Sequence, residues 1–353
     1  MHRLTPFGWN DTLGFAWEAL ARSDCIPARV IADFGSVLQI ATPEERQAEL
    51  SGKLLFTSEA TERPKVGDWV AVALSGAETA TIEAVLPRTS EISRKHAGER
   101  AERQILATNV DVALIVQSLD NDFSVKRIER YLFQLQDNNI QAVLVLNKAD
   151  QVDDMSVFTD QLKDLHIPTI ICSASTGQGM DDIVALIKPG QTAVLLGSSG
   201  VGKSTITNYL FGKVVQDTGA VREADSTGRH TTTHRELFRL KGGGLLIDTP
   251  GIRELQLWGT EEELEETFED VAELMTECRY SNCGHTTEDG CAIRQALADG
   301  RLSQAHYDNY LKMSRELQLT AEKAKRITLA QKQQQRSKLR KLRRRSAEPT
   351  IDD

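Results

Sequence analysis

Thr192-Ala193-Val194-Leu195-Leu196-Gly197-Ser198-Ser199-Gly200-Val201-Gly202-Lys203-Ser204-Thr205 is the stretch that decides the fold. Its apolar first part predicts a buried strand. The pattern G-x-x-x-x-G-K-S that follows predicts a phosphate-binding loop opening a helix at Lys203. Glycine lets backbone N–H groups curl round phosphate oxygens with no Cβ in the way. The helix N-terminus adds free donors and the positive end of its dipole. Lys203 is placed to neutralise the β- and γ-phosphates, and the Ser204 hydroxyl to ligate Mg²⁺. Gly197 through Ser204, with Thr205 beside them, form the expected cradle.

Two more motifs flank this stretch. Asp248-Thr249-Pro250-Gly251 closes the apolar run Leu245–Ile247. A carboxylate there can hold Mg²⁺, and the Gly251 N–H can approach a γ-phosphate. Asn147-Lys148-Ala149-Asp150 follows the strand-like run Ala142–Leu146. The Asp150 carboxylate can accept from the N1–H and exocyclic amine of guanine, a donor pair adenine lacks. Lys148 can lay its stem along the base, and Asn147 can tie this loop to the phosphate loop. Cys172-Ser173-Ala174, again after a strand, offers backbone donors to the guanine O6 from Ser173 and Ala174. The usual GTPase order puts the base reader last. Here it comes first, which is the signature of a circularly permuted GTPase binding GTP and GDP.

Gly228-Arg229-His230-Thr231-Thr232-Thr233 lies between the phosphate loop and Asp248. A mobile switch loop is expected there, with Thr232 ligating Mg²⁺ in the triphosphate state. Many GTPases place Gln directly after D-x-x-G to orient the attacking water. This chain has Ile252, which cannot hydrogen-bond to water. His230 is the candidate for that role.

From Asn109 to Trp258 strands and helices alternate, predicting a mostly parallel sheet covered on both faces. The expected helices include Val125–Asp137, Ser156–Leu165 and Met180–Ile187, and Ile167–Ile171 is an expected strand. Residues 23–105 instead carry short strand-like runs, namely Arg29–Ile40, Gly52–Phe56, Asp68–Val72 and Ala80–Leu86. They suggest a small β-barrel, with an OB-fold ahead of an SH3-like barrel. Residues 1–22 hold Phe7, Trp9, Phe15 and Trp17 and read as an arm packed on that barrel. The expected division is 1–22 extension, 23–105 barrel, 106–258 α/β GTPase, 259–320 helical metal domain and 321–353 tail.

The net charge is −9, yet residues 321–353 carry 11 Lys and Arg against four Asp and Glu. An acidic body with a basic tail points to nucleic acid. Apolar runs are strand-length, too short to span a bilayer, and no signal peptide is expected. A cytoplasmic chain without membrane contact follows, and nothing in the pattern points to an obligate dimer, so a monomer is expected. Without a secretory leader, Cys278, Cys283 and Cys291 read as metal ligands before disulfides. With His285 they complete a tetrahedral Zn²⁺ set that leaves no open position, hence a structural site.

The permuted order, the G-R-H-T-T-T loop, the apolar residue at Ile252 and the Cys-Cys-His-Cys cluster together resemble the ribosome small-subunit-dependent GTPase A (RsgA/YjeQ) family. The resemblance covers roughly residues 23–320. It implies an OB-fold, a permuted GTPase and a zinc domain in that order. It also implies late maturation of the 30S ribosomal subunit through 16S rRNA, with GTP hydrolysis stimulated by the 30S particle. The histidine matching His230 is the family's proposed water-positioning residue. The alternatives are an rRNA-binding module with a nucleotide latch, and a permuted GTPase of the large subunit.

Overall fold

The computed structural model describes residues 2–76, 78–95, 103–136, 138–163, 165–212, 235–248, 260–322 and 326. Contacts group the chain into two compact units, Met1–Arg94 with Gln104–Gln256, and Lys95–Arg103 with Leu257–Asp353.

The first unit starts with a 3-10 turn, His2–Phe7, and helix α1, Asp11–Leu20. The Asn10 side chain caps α1 by accepting from the Leu13 N–H at 3.0 Å. Leu4, Trp9 and Leu13 pack on Trp69 and Leu86 of the barrel, and the Trp9 and Trp69 rings meet edge to face at 5.0 Å.

The barrel strands are β1 (Ile26–Asp33), β2 (Leu38–Ala41), β3 (Glu45–Leu50), β4 (Trp69–Leu74) and β5 (Thr79–Val85). They run in the order β1-β2-β3-β5-β4, and β4 pairs back to β1, closing the ring. Helix α2 (Gly52–Thr57) joins β3 to β4. A closed five-stranded ring with this order is the OB arrangement and decides against an SH3-like barrel. Val30, Ile40, Val70, Val72 and Ile82 fill its interior. The expected strand at Gly52–Phe56 is therefore a helix. Ser51 caps it, its hydroxyl accepting from the Leu54 N–H at 3.2 Å. The strand slot goes to β3, whose charged run shows the core little more than Ala48.

Strands β6 (Glu91–Lys95) and β7 (Arg103–Thr108) form a separate two-stranded sheet. The α/β part has β8 (Val112–Ser118), β9 (Gln141–Asn147), β10 (Thr169–Ile171), β11 (Thr192–Leu196), β12 (Arg235–Arg239) and β13 (Leu245–Asp248). Their order is β10-β9-β8-β11-β13-β12, parallel except for the β12–β13 hairpin. Every residue of β8 is buried, as expected for a central parallel strand. Helix α3 (Val125–Leu135) packs on one face through Ile128, Tyr131 and Leu135. Helix α4 (Ser156–Thr159) stops short of the expected 156–165 and gives way to a 3-10 turn. Helices α5 (Met180–Leu186) and α6 (Lys203–Phe211) cover the other face through Ile183, Ile206 and Leu210. Strand β10 starts at Thr169 rather than Ile167, because Pro168 has no N–H for the ladder.

The two sheets are one. β1 pairs with β2 and β4 in the barrel and, through Ala32 and Asp33, with Glu236 and Arg235 of β12. A register shift between Val30 and Ala32 marks a bulge, and Ile31 at the bulge joins the α/β core. One extra residue bends the strand out of one sheet into the next. It also covers what would otherwise be the open edge of β12.

Arg29 bolts this joint. It is fully buried, and its guanidinium donates to the carbonyls of Gly67 at 3.1 Å, Asn109 at 3.2 Å and Phe7, and to the Thr192 hydroxyl at 2.9 Å. Burial pushes its pKa down to about 10, against the pull of Asp111 and Asp68. Thr192 starts β11, so the bolt reaches the strand that feeds the phosphate loop.

The second unit is helical. Helices α7 (Glu261–Thr267), α8 (Glu269–Thr276) and α9 (Ala292–Ala298) are joined by α10, over 304–322. Thr260 and Glu263 make a reciprocal capping box at the start of α7. Phe268 is buried between His306 and Tyr310 of α10, at ring distances of 4.8 and 5.5 Å.

Candidate functional site

β11 ends at Leu196 and the chain turns sharply at Gly197. There a Cβ would overlap the Val116 carbonyl of β8, and φ is +149°. At Gly202, with φ +98°, a Cβ would overlap the side-chain amide of Asn147. Both positions require glycine for close approach as well as for backbone freedom. Lys203 opens α6 and folds back, its Nζ donating to the carbonyls of Gly197 at 2.8 Å and Ser198 at 2.5 Å. Ser199 and Gly200 form the outer rim, and Ser204 and Thr205 lie half-buried in the first helical turn. β13 runs parallel to β11 with Val194 opposite Ile247, so Asp248 comes up beside the mouth of the loop.

β9 delivers the second motif. Asn147 is almost wholly buried. Its amide donates to the Val201 carbonyl at 2.8 Å, and its oxygen accepts from the Ala174 N–H at 3.0 Å. One side chain thus ties together three loops distant in sequence. The Ala174 N–H, expected to serve a base, is occupied by Asn147 in this arrangement. Lys148 adopts a left-handed backbone, φ +66°. The Ser173 hydroxyl donates to Asp150 at 2.5 Å and is the main cause holding that carboxyl below its ordinary range. Burial pushes the neighbouring Cys172 thiol up to about 12, so it remains a protonated packing group.

In the second unit Cys278, Cys283, His285 and Cys291 bring their ligand atoms within 4.8 Å of one another. His285 Nδ1 stands 3.6 Å from Cys278 Sγ and 3.5 Å from Cys291 Sγ. A tetrahedral zinc with Zn–S near 2.3 Å sets its ligand atoms about 3.6 Å apart, so spacing and donor chemistry are compatible with that ion.

A family model described as RsgA GTPase matches residues 85–258. A curated relative from Opitutus terrae, named small ribosomal subunit biogenesis GTPase RsgA, is 43% identical over 89% of this chain and 89% of its own. The chain belongs to the RsgA GTPase family. A Leptospira interrogans relative of the same name is 40% identical over 89% of this chain and 88% of its own. Among solved structures, YjeQ from Thermotoga maritima superposes with TM-score 0.62 at 26% identity, covering 83% of this chain and 98% of that one. YloQ, described as a circularly permuted GTPase, gives TM-score 0.59 at 24% identity, covering 83% and 96%. A second family model, ABC transporter, matches residues 180–342, a span that shares the phosphate-loop motif. This RsgA family member is a GTP-hydrolysing enzyme, and the family implies GTP, GDP and Mg²⁺ at its site.

The structure brings Asn147, Lys148, Asp150, Ser173 and Ala174 together with the loop Gly197–Ser204. His230, Thr232, Gly251 and Ile252 lie outside the described residues. The sequence reading missed the loop after β8. Lys148 Nζ pairs with Asp120 Oδ2 at 2.8 Å. Asp122 accepts from both Arg127 and the Ser198 hydroxyl. The acidic residues of Ser118-Leu119-Asp120-Asn121-Asp122 were visible, but Lys148 and Ser198 lie far along the chain and no local pattern reveals those two contacts. Among the described residues, no helix is long and apolar enough to cross a membrane.

Proposed function

We propose that this chain is a nucleotide switch of late small-subunit maturation. It binds the 30S particle through 16S rRNA and hydrolyses GTP faster when so bound. The observation that carries the nucleotide reading is the pair of hydrogen bonds that Asn147 makes, donating to the Val201 carbonyl and accepting from the Ala174 N–H, which joins base reader and phosphate loop into one cradle. The subunit assignment rests on the printed names of the relatives.

In this reading Asp150 takes the guanine N1–H and amine, and Ser173 holds its carboxylate charged and aimed. The Lys148 stem lies along the base. Backbone N–H groups from Gly197 to Thr205 and the ammonium of Lys203 hold the β- and γ-phosphates. Ser204, Thr232 and Asp248 would hold Mg²⁺, which when bound neutralises charge on the phosphate oxygens. Gly251 contacts the γ-phosphate, and Ile252 keeps that flank apolar. His230 orients the attacking water.

Cys278, Cys283, His285 and Cys291 hold one structural Zn²⁺, because a closed set leaves no position for substrate. The basic residues of 321–353 meet rRNA phosphates. The protein works as a cytoplasmic monomer. The test is GTP turnover with isolated 30S, 50S and 70S particles added separately. Stimulation by 30S alone is expected. Equal stimulation by 50S, or none by any particle, would defeat the assignment.

A further inference from the structure

The loop between β8 and α3 touches both ends of the nucleotide site. Its anchors are apolar: Leu119 is buried, and Phe123 meets Phe158 edge to face at 5.1 Å. The Leu119 N–H also donates to the Asn147 carbonyl at 2.9 Å. Between these anchors stand two carboxylates. Asp120 Oδ1 accepts from the Ser118 hydroxyl at 2.8 Å and the Asp122 N–H at 2.9 Å, leaving Oδ2 for Lys148 Nζ at 2.8 Å. Asp122 grips Arg127 with both oxygens, at 3.0 and 3.1 Å, and accepts the Ser198 hydroxyl. Arg127 Nη1 itself lies 3.2 Å from Ser198 Oγ. The carbonyl of the same Ser198 accepts from Lys203 Nζ at 2.5 Å.

We propose that this loop is a two-armed clamp whose positioning residues act on separate halves of the nucleotide. Asp122 and Arg127 hold Ser198, and through its carbonyl the phosphate-binding Lys203. Asp120 holds the ammonium of Lys148 and so the stem that flanks the base. Each acidic residue is set between an apolar anchor of the loop and its partner. The ion pairs are partly exposed, so their strength comes from geometry and not from a dry surrounding. This inference rests on the nucleotide reading proposed above.

The test compares guanosine, GDP and ADP in competition for the full-length, zinc-loaded protein. Arg127→Ala and Asp122→Asn are expected to weaken GDP about fivefold, the order of one exposed ion pair, and to leave guanosine unchanged. Asp120→Asn is expected to weaken guanosine and GDP alike. Ser198→Ala should reproduce the loss of Arg127→Ala, and the double variant should lose no more than either single one. Equal weakening of guanosine and GDP by Arg127→Ala would overturn the division of labour. So would GDP binding unchanged by Arg127→Ala, or additive losses in the double variant. If the unaltered protein fails to prefer GDP over ADP, the nucleotide reading falls and the clamp with it. That failure is visible before any variant is compared.

Discussion

Asp150 is the residue on which base choice is proposed to rest, and its surroundings suit the task. It is exposed at the site, and the Ser173 hydroxyl holds it ionised. Asp150→Ala should weaken GDP by about a hundredfold or more and leave ADP unchanged, since a site built around a donor pair is left unpaired without its acceptor. Competition binding with the two nucleotides checks it, and parallel losses would remove Asp150 from base reading. His230→Ala should keep GTP and GDP affinity and lower turnover about a hundredfold, the order expected for a lost water-positioning group. Single-turnover hydrolysis measures this, and an unchanged rate would remove the histidine from the mechanism. Asp150 was legible because its motif follows a strand directly. The contacts of Asp120 to Lys148 and of Asp122 and Arg127 to Ser198 were not, because those partners are brought near only by β8 pairing with β9 and β11.

At the scale of elements, the loop between Cys283 and Cys291 shows how a short segment can be ordered by one side chain. The Glu288 carboxylate accepts N–H groups from Gly284, Thr286 and Thr287, each at 2.9 Å. Its pKa falls to about 2, lowered by the N–H groups of its own residue, Thr286, Gly284 and Thr287. A carboxyl whose folded value is depressed contributes order above its ordinary value and loses it as pH falls through the folded value. In the folded protein the amides of Gly284, Thr286 and Thr287 should therefore stay protected at about pH 4 and lose protection only toward about pH 2. Hydrogen exchange read by NMR tests this, and loss of protection near the ordinary glutamate pKa would contradict it. The helix α2 teaches a related lesson. Gly52–Phe56 has strand-like composition, yet the Ser51 cap and the ring order of the barrel make it helical.

For the whole molecule two joints matter. Arg29→Ala would leave buried carbonyls of Gly67, Asn109 and Phe7 without their donor. The first unit should lose on the order of 3 kcal/mol, the scale of a few unsatisfied buried groups. Denaturant unfolding with GDP absent measures it, and a change under about 0.5 kcal/mol, the size of a neutral surface substitution, would show the bolt to be idle. The second unit buries Leu264, Phe268, Val271, Ile293, Leu302 and Met313, and a structural zinc at the proposed Cys278, Cys283, His285 and Cys291 site would add its binding free energy to that core. Chelation should remove helical signal from α7 to α10 and spare GDP binding by the first unit. Circular dichroism and nucleotide titration on one sample decide it, and an unaltered spectrum after verified zinc loss would contradict the structural role.

The linear chain by itself determined the permuted motif order, the phosphate-loop strand and helix, the Cys and His cluster and the presence of a small barrel. Each of these is written in residues close together, where spacing alone carries the physics. Tertiary structure decided what depends on distant partners. It chose the OB ring over its rival through strand order, and it merged barrel and α/β sheet by a bulge at Ile31. It set Arg29 at their joint and brought two aspartates of one loop to Lys148 and Ser198. Such contacts arise only when β-pairing sets the register of strands far apart in the chain, and no local pattern encodes that register.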